Sequence, residues 1–378
     1  MTQNLAVCTI IAKNYLAFAR TLARSFRSFH AESKVYVLIV DDFEGYINPA
    51  DECFEIVKLT DLEIPNLQEF CFKYDLKELC TAAKAPLLDY LIREKSVDRL
   101  IYLDPDILVT GPLDGIYQQL DKFDIVLTPH LDADYPDDDL LPDDGHILRA
   151  GQFNLGFIGI NSSDNARSFL DWWKPKLYKK CVVDVLNGYF VDQKFVDFVP
   201  IFFTNFLIEK DVGYNAAYWN LHSRRISSEN GAWRCNDGPL YFFHFSGYKP
   251  ESDAISSHVP GRWSRYRLAN RPDLVGLFAE YKELLTRNGY EQAIKWPYTF
   301  GYFTTGEQIP DDLRRYYRSL PAKRRSLGDP FASDWAFRYG RFKSRYLAPA
   351  FALFRRLLGM RSTVIQQPEK RWTPRPRS

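Results

Sequence analysis

Two aspartates one residue apart, Asp104 and Asp106, interrupt an apolar stretch, Arg99–Pro112 (RLIYLDPDILVTGP). Residues i and i+2 of an extended chain project to the same side, so the two carboxylates can converge on one point. Pro105 between them fixes φ and opposes both helix and regular ladder pairing, which suits the end of a strand. Paired carboxylates at the C-terminal end of a strand suit a hard divalent cation with positions left open for phosphate oxygens. An isolated acidic turn has the same residues. A possible nitrogen donor lies far downstream, where the aromatic run Leu240–Phe245 (LYFFHF) carries His244 into the turn Ser246-Gly247-Tyr248-Lys249-Pro250. A histidine in such a run is commonly a packed core residue. As a third ligand beside two carboxylates it would suit manganese better than calcium. Lys84, in a helical pattern upstream, could point at this site or at water.

The elements that must position these groups are legible as apolar runs. Leu5–Ala12 (LAVCTIIA) reads as a central strand, followed by the loop Lys13-Asn14-Tyr15. Leu16, Ala19, Leu22, Ala23, Phe26 and Phe29 then fall at helical spacing, and Val35–Val40 (VYVLIV) is a second unbroken strand. Strand, helix, strand in about forty residues is a βαβ unit. It predicts a parallel sheet covered on both faces, with ligands at the strands' C-terminal ends. No G-x-G-x-x-G follows the first strand, so the dinucleotide fingerprint is absent. A helix is expected over Thr81–Lys95 and strands over Phe123–Thr128 and Gln152–Asn161. A helix is also expected over Ser163–Lys180, and another helix-like run, Lys194–Val199, after Asp192-Gln193. Asp132–Gly145 (DADYPDDDLLPDDG) lacks the alternating ligands, central Gly and terminal Glu of an EF-hand and reads as a mobile surface lid.

Composition bounds the class. Of 378 residues, 46% are hydrophobic and 26% charged, which are globular values, and the formal charge of +1 gives no global field for nucleic acid. The charge is uneven: from Arg314 onward 17 Lys and Arg stand against 3 Asp and Glu. The stretch Phe331–Met360 mixes aromatics, Leu and Arg as an interfacial segment does, and Gln366–Ser378 reads as disordered. The six cysteines make no C-x-x-C and no zinc spacing, which fits a reducing cytosol. Neither a secretory leader nor a bilayer-spanning run is read.

The motifs, in order, resemble those of GT-A nucleotide-sugar glycosyltransferases. They are most similar to glycosyltransferase family eight, which includes glycogenin and bacterial lipopolysaccharide galactosyltransferases. Lys13-Asn14-Tyr15 resembles the family's nucleotide-binding start, Asp104-Pro105-Asp106 its D-x-D, and Phe153-Asn154-x-Gly156 its F-N-x-G. Asp192-Gln193 resembles its D-Q pair. The stretch from His244 to Pro250 resembles its H-x-x-G-x-x-K-P signature. Lys84 stands where the family usually has Arg, and Glu251 where it has Trp.

The resemblance implies a Rossmann-like, mixed but mainly parallel sheet flanked by helices, with a helical C-terminal extension. The expected domains are a catalytic domain over 1–262, a helical and aromatic extension over 263–330, and a basic amphipathic segment with a tail over 331–378. It implies Asp104, Asp106 and His244 as ligands of Mn²⁺ or Mg²⁺. It places Asn14, Tyr15, Lys84, Asp104, Gly247 and Lys249 at the donor, and Asn154, Asp192 and Gln193 at the reacting centre. The implied activity is transfer of a sugar from a nucleoside-diphosphate donor, a UDP-sugar, to a glycan, lipid-linked or other acceptor with retention. The expected location is the cytoplasm, with the basic C-terminus at an anionic membrane surface. Three rivals stand beside it. An inverting enzyme would take a base from Asp132 or Asp134. A sugar-phosphate nucleotidyltransferase would need a Gly-rich triphosphate loop that is not seen. A carbohydrate-binding scaffold would not need the aspartates, the histidine and the lysine together.

Overall fold

The computed structural model describes residues 4–259, 263–325, 328–332, 335 and 340. The strands in chain order are β1 (Leu5–Ile11), β2 (Lys34–Ile39), β3 (Glu55–Lys58), β4 (Arg99–Leu103), β5 (Ile107–Val109), β6 (Ile125–Pro129) and β7 (Phe153–Asn161). They are followed by β8 (Val183–Asp184), β9 (Tyr189–Phe190), β10 (Phe206–Ile208), β11 (Ala216–Ala217), β12 (Ile226–Glu229), β13 (Ala232–Cys235), β14 (Gly238–Pro239) and β15 (Phe242–His244).

Seven of them form the central sheet in the order β10-β6-β7-β4-β1-β2-β3. β1 runs parallel to β2 and β4, β2 parallel to β3, and β10 parallel to β6. Only β7 runs against its neighbours β4 and β6. The fold is therefore α/β with a mixed, mainly parallel sheet. The direction of β7 decides the site. The parallel strands end at one edge of the sheet, and an antiparallel strand begins there, so Phe153-Asn154-x-Gly156 starts beside the ends of β4 and β6. The Asp104 N–H donates to the Gly156 carbonyl at 2.8 Å across that edge.

The first βαβ unit forms as its pattern predicts. β1, β2 and β4 are apolar on both faces because helices cover both, so alternation is absent. In helix Leu16–Arg27 the buried side chains Leu16, Ala19, Leu22, Ala23 and Phe26 recur at helical spacing. Ser163 caps helix Asp164–Lys180 through its Oγ on the Ala166 N–H at 3.1 Å.

A second small sheet, β11-β15-β5, binds distant motifs together. β5 leaves the aspartate turn and pairs antiparallel with β15, setting His244 opposite Ile107. The Phe245 N–H closes the pair on the Asp106 carbonyl at 2.8 Å.

The helix expected over Thr81–Lys95 is two, Leu76–Ala82 and Lys84–Arg93. Pro86 lacks the N–H that would continue a ladder into the preceding turn, so the chain restarts at Lys84. The run after Asp192 is likewise two single turns, Gln193–Val196 and Val199–Phe202, with Pro200 inside the second.

By internal contacts the chain divides into two compact units. One comprises residues 1–63 and 78–296, and the other 64–77 and 297–378. In the first, helix Pro272–Arg287 buries Leu274, Leu277, Phe278 and Tyr281 against Phe243 and Phe245 behind β15. In the second, Phe72, Phe303, Ile309, Leu313, Tyr317 and Trp335 form a separate apolar cluster. The Arg314 guanidinium donates to the carbonyls of Phe72, Tyr74 and Phe300 there. The basic segment 331–378 lies almost wholly outside the described residues.

Candidate active site

The Asp104–Asp106 turn and the end of β15 bring three ligand-type groups together. Oxygens of Asp104 and Asp106 and a nitrogen of His244 all lie within 4.8 Å of one another. His244 Nε2 is 3.1 Å from Asp106 Oδ1 and 3.7 Å from Asp104 Oδ2. Gly156 makes this approach possible. A Cβ there would sit 2.3 Å from His244 Cε1 and 2.7 Å from Asn154 Oδ1, so the glycine of the F-N-x-G segment is the floor on which the imidazole rests.

A network fixes which imidazole nitrogen faces the aspartates. Asn215 Nδ2 donates to Thr128 Oγ1 at 2.8 Å and to Asn154 Oδ1 at 3.1 Å. That leaves Asn215 Oδ1 to accept from His244 Nδ1 at 3.3 Å. His244 Nε2 is thereby directed at the carboxylates, the arrangement in which a ligating histidine is oriented by its other ring nitrogen. Asn154 Oδ1 also accepts from the Gly156 N–H at 3.0 Å, and Asn154 Nδ2 lies 3.2 Å from His130 Nε2. His130 Nδ1 faces the Gly151 carbonyl at 2.8 Å, so the neutral ring donates there and accepts from Asn154. The Trp219 ring stands edge-on to both His244 and His130.

Electrostatically the turn calls for positive charge. Burial raises the Asp106 carboxyl, but His244 outweighs it and holds the group below its ordinary range. Burial lowers His244, and Asp106 and Asp104 outweigh that in turn, so the imidazole lies above its ordinary value. Two carboxylates and an imidazole suit Mn²⁺ or Mg²⁺. The Asp104 side chain is 30% exposed and that of Asp106 22%, so the cluster is open to further oxygen ligands. The residues therefore fit such an ion.

Behind the aspartates lies a buried ion pair. Lys84, 1% exposed, places Nζ 2.6 Å from Asp192 Oδ2, 2.6 Å from the Leu155 carbonyl and 3.9 Å from Asp104 Oδ1. Its ammonium sits over the Tyr102 ring at 4.2 Å, and the Tyr102 hydroxyl donates to Asp104 Oδ1 at 2.7 Å. Of the two directions open to Lys84 in the sequence, the structure shows the inward one. Burial lowers the ammonium, but Asp192 and Asp104 outweigh it and hold it above its usual range. Burial pushes Asp192 upward, against the pull of Lys84. The 2.6 Å contact has the length of a charge-assisted bond, and the ionised pair is the state it describes. Val191, just before, adopts φ +42°, a left-handed conformation unusual for a β-branched residue. Its N–H donates to the Val182 carbonyl at 2.9 Å, which holds the bend that turns Asp192 inward.

Other expected site residues lie as follows. Gln193 is engaged at both ends, with Nε2 on the Ala150 carbonyl at 3.0 Å and Oε1 near the Leu155 N–H at 3.4 Å. Asn154 is likewise engaged, so both amides brace the site. Lys13 is buried on Asp41, at 2.8 Å. Asn14 Oδ1 is buried and has no hydrogen-bond partner among the described residues. Tyr15 stacks on Phe18. Burial and the nearby Asp106 push its hydroxyl up to about 12. Gly247 has φ +72°, and a Cβ there would meet His258 and Ser256 at 2.7 Å. Lys249 is exposed. Asp132, a candidate base, is held by Arg224 at 3.2 Å and by the Ser223 hydroxyl at 3.0 Å. The acidic loop around it is strapped down. Tyr135 donates to the Trp219 carbonyl at 2.6 Å, and Arg265 binds Asp138 and the Leu140 carbonyl.

Tyr102, Thr128, His130, Asn215, Trp219 and His258 were not singled out from sequence. Strand direction is the signal for two of them. His130 directly follows β6, whose C-terminal end shares the edge with Asp104, and Asn215 directly precedes β11.

No family model matches the chain. Among curated proteins it is 25% identical to the uncharacterized protein YfnF of Bacillus subtilis (strain 168) over 248 residues, 65% of this chain and 82% of that protein. It is 23% identical to YfnD of the same organism, also uncharacterized, over 64% of this chain and 76% of that one. Among solved structures it is similar to the galactosyltransferase LgtC in complex with donor and acceptor sugar analogs, at 14% identity and a TM-score of 0.44, covering 75% of this chain and 95% of that one. It is also similar to the glycosyltransferase GlyE of Streptococcus pneumoniae TIGR4, at 14% identity and a TM-score of 0.43, covering 80% and 67%.

Proposed function

We propose that the chain is a metal-dependent glycosyltransferase of the GT-A type. It would move a sugar, with retention, from a nucleoside-diphosphate donor, a UDP-sugar, to a glycan or lipid-linked acceptor. The observation that carries this reading is the convergence of Asp104, Asp106 and His244 at the C-terminal edge of a mainly parallel sheet, open on one side and oriented by a second layer of amides.

In this reading Asp104, Asp106 and His244 hold Mn²⁺ or Mg²⁺, which when bound supplies Lewis-acid neutralisation of the departing nucleoside diphosphate. Lys249 and the Gly247 N–H, next to His244 in the chain, add donors where charge grows on the diphosphate. Asn14 and Tyr15 receive the base and ribose. Asn14 Oδ1 and Trp219 Nε1–H, buried and without a hydrogen-bond partner among the described residues, are groups that a bound sugar nucleotide would satisfy. Lys84 acts through Asp104 and Asp192, fixing both carboxylates. Asp192, ionised and buried, faces the sugar as an electrostatic partner for positive charge at the anomeric carbon, while Asn154 and Gln193 position. The engagement of Asp132 with Arg224 and Ser223 speaks against its service as an inverting base.

We assign catalysis to residues 1–262, with 263–330 as its extension and 331–378 as a basic segment at a cytoplasmic membrane surface. Among the described residues no helix is long and apolar enough to cross a membrane.

The test is donor hydrolysis by the purified protein across a panel of nucleotide sugars with Mn²⁺, repeated with EDTA and with Asp106→Ala. Release of one nucleoside diphosphate, abolished by EDTA and reduced at least a hundredfold in the variant, is expected. Folded protein that neither turns over nor binds any nucleotide in a metal-dependent way would end this assignment.

A further inference from the structure

The segment that delivers Asp192 and Gln193 to the site is flanked on both sides by apolar side chains standing in water. Leu186, between β8 and β9, is 99% exposed; Ile201 and Phe202, in the helix just beyond, are 71% and 56% exposed; Val183 and Phe198 are exposed as well. Scattered single apolar residues are normal on a surface, but a cluster on one chain segment marks an interaction face.

The pieces are joined by side-chain contacts to a common strut, the C-terminal half of helix Asp164–Lys180. Phe202 packs on Trp172 and stacks on Phe198 with ring centroids 5.3 Å apart. Tyr189 of β9 packs near Phe195, and its hydroxyl lies 2.9 Å from Lys180 Nζ.

The charge on this strut points to the occupant. Lys174 is paired with Asp89 and Asp171, and Lys194 with Asp197. Lys176, Lys179 and Lys180 have no carboxylate partner among the described residues. Lys176 instead lies over the Trp172 ring at 4.2 Å. Asp184, the acid within this face, is tied to the Asn187 amide at 2.8 Å, and the three lysines without a carboxylate partner among the described residues outnumber it. Exposed aliphatic and aromatic side chains with such an excess of lysine are the composition of a face that sits in the headgroup region of an anionic bilayer. There the apolar tips enter the acyl boundary and the lysines reach the phosphates.

We propose that this face, Val183–Leu186 and Phe198–Phe202 with Lys176, Lys179 and Lys180, docks the protein on an anionic lipid surface. Docking there places the exposed stretches that flank the buried Asp192–Gln193 segment against the membrane. That it serves a lipid-linked acceptor rests on the transferase reading above; the docking itself does not.

The test uses the full chain and co-sedimentation with phosphatidylglycerol-containing vesicles, with phosphatidylcholine vesicles as control. Wild-type protein is expected to bind the anionic vesicles, and less at high salt. The combined variant Leu186→Ser, Ile201→Ser, Phe202→Ser removes exposed apolar side chains and is expected to lower partitioning at least threefold, the basic segment 331–378 of the proposed function holding the remainder. Lys179→Gln with Lys180→Gln is expected to weaken binding to anionic vesicles alone. Equal binding by wild type and the triple variant, or no binding by wild type, overturns the proposal. So does a dimer in light scattering that the triple variant dissociates while vesicle binding is unchanged, since the face would then meet a second copy. Donor hydrolysis without vesicles is expected to be unaffected by the triple variant. Its absence in wild type that still binds vesicles would remove the transferase reading and leave the docking face standing.

Discussion

A missing methyl group decides the geometry of the candidate metal site. With no Cβ at Gly156, the His244 imidazole can rest on the strand while Asn215 turns its ring. Gly156→Ala is expected to push the ring off the aspartates. Overpacking of this kind costs about 1–3 kcal/mol of stability, and Mn²⁺ affinity measured by titration calorimetry is expected to fall at least tenfold. His130 supplies a pH dependence. Burial lowers its ionisation to about 4, against about 6.5 in an unfolded chain. Between those values the unfolded state takes up a proton that the folded state refuses. The stability is thus fully present above pH 6.5 and is lost as pH falls toward 4. In urea denaturation at pH 7 and pH 4.5, the advantage of wild type over His130→Gln is expected to shrink by about 2 kcal/mol.

At the scale of elements, the buried Lys84–Asp192 pair links helix Lys84–Arg93 to the turn before Gln193. Lys84→Met leaves Asp192 buried without its partner and is expected to cost about 3–5 kcal/mol; Lys84→Met combined with Asp192→Leu is expected to recover much of that loss. Denaturation of the two single variants and the double variant measures it. Such a pair is hard to read in advance, because a lysine in a helical pattern looks the same whether it faces water or a carboxylate 108 residues away. The aspartates were legible because their spacing alone makes them converge. His244 reads from sequence as a nitrogen donor or a packed core residue, and it takes the β5–β15 pairing to set it beside the aspartates. β1, β2 and β4 were legible because burial on both faces leaves an unbroken apolar run. The short strands β12, β13 and β14 carry no such run, being largely exposed. The direction of β7 is not written in its composition, yet it is what brings Asn154 and Gly156 to the edge where the other strands end.

At the scale of the molecule, the second unit is held, among its described residues, by an arginine rather than by regular strands. Arg314, 4% exposed, donates to carbonyls at Phe72, Tyr74 and Phe300. Arg314→Met leaves those acceptors without a donor and is expected to cost about 1–3 kcal/mol. Hydrogen exchange is expected to rise within residues 64–77 and 297–325 more than in the sheet. The same unit sets an order of events during synthesis. Residues 64–77 belong with a partner segment that begins at residue 297. At roughly 5–20 residues per second, the ribosome delivers that segment some tens of seconds later. Until then Phe72, buried against Phe303 and Tyr317 in the folded protein, has no permanent cover, while β1, β2 and β4 can already assemble. The nascent chain therefore passes through an interval in which a sticky excursion at residues 64–77 waits for residues 297 onward. A truncation before residue 297 would make that interval permanent.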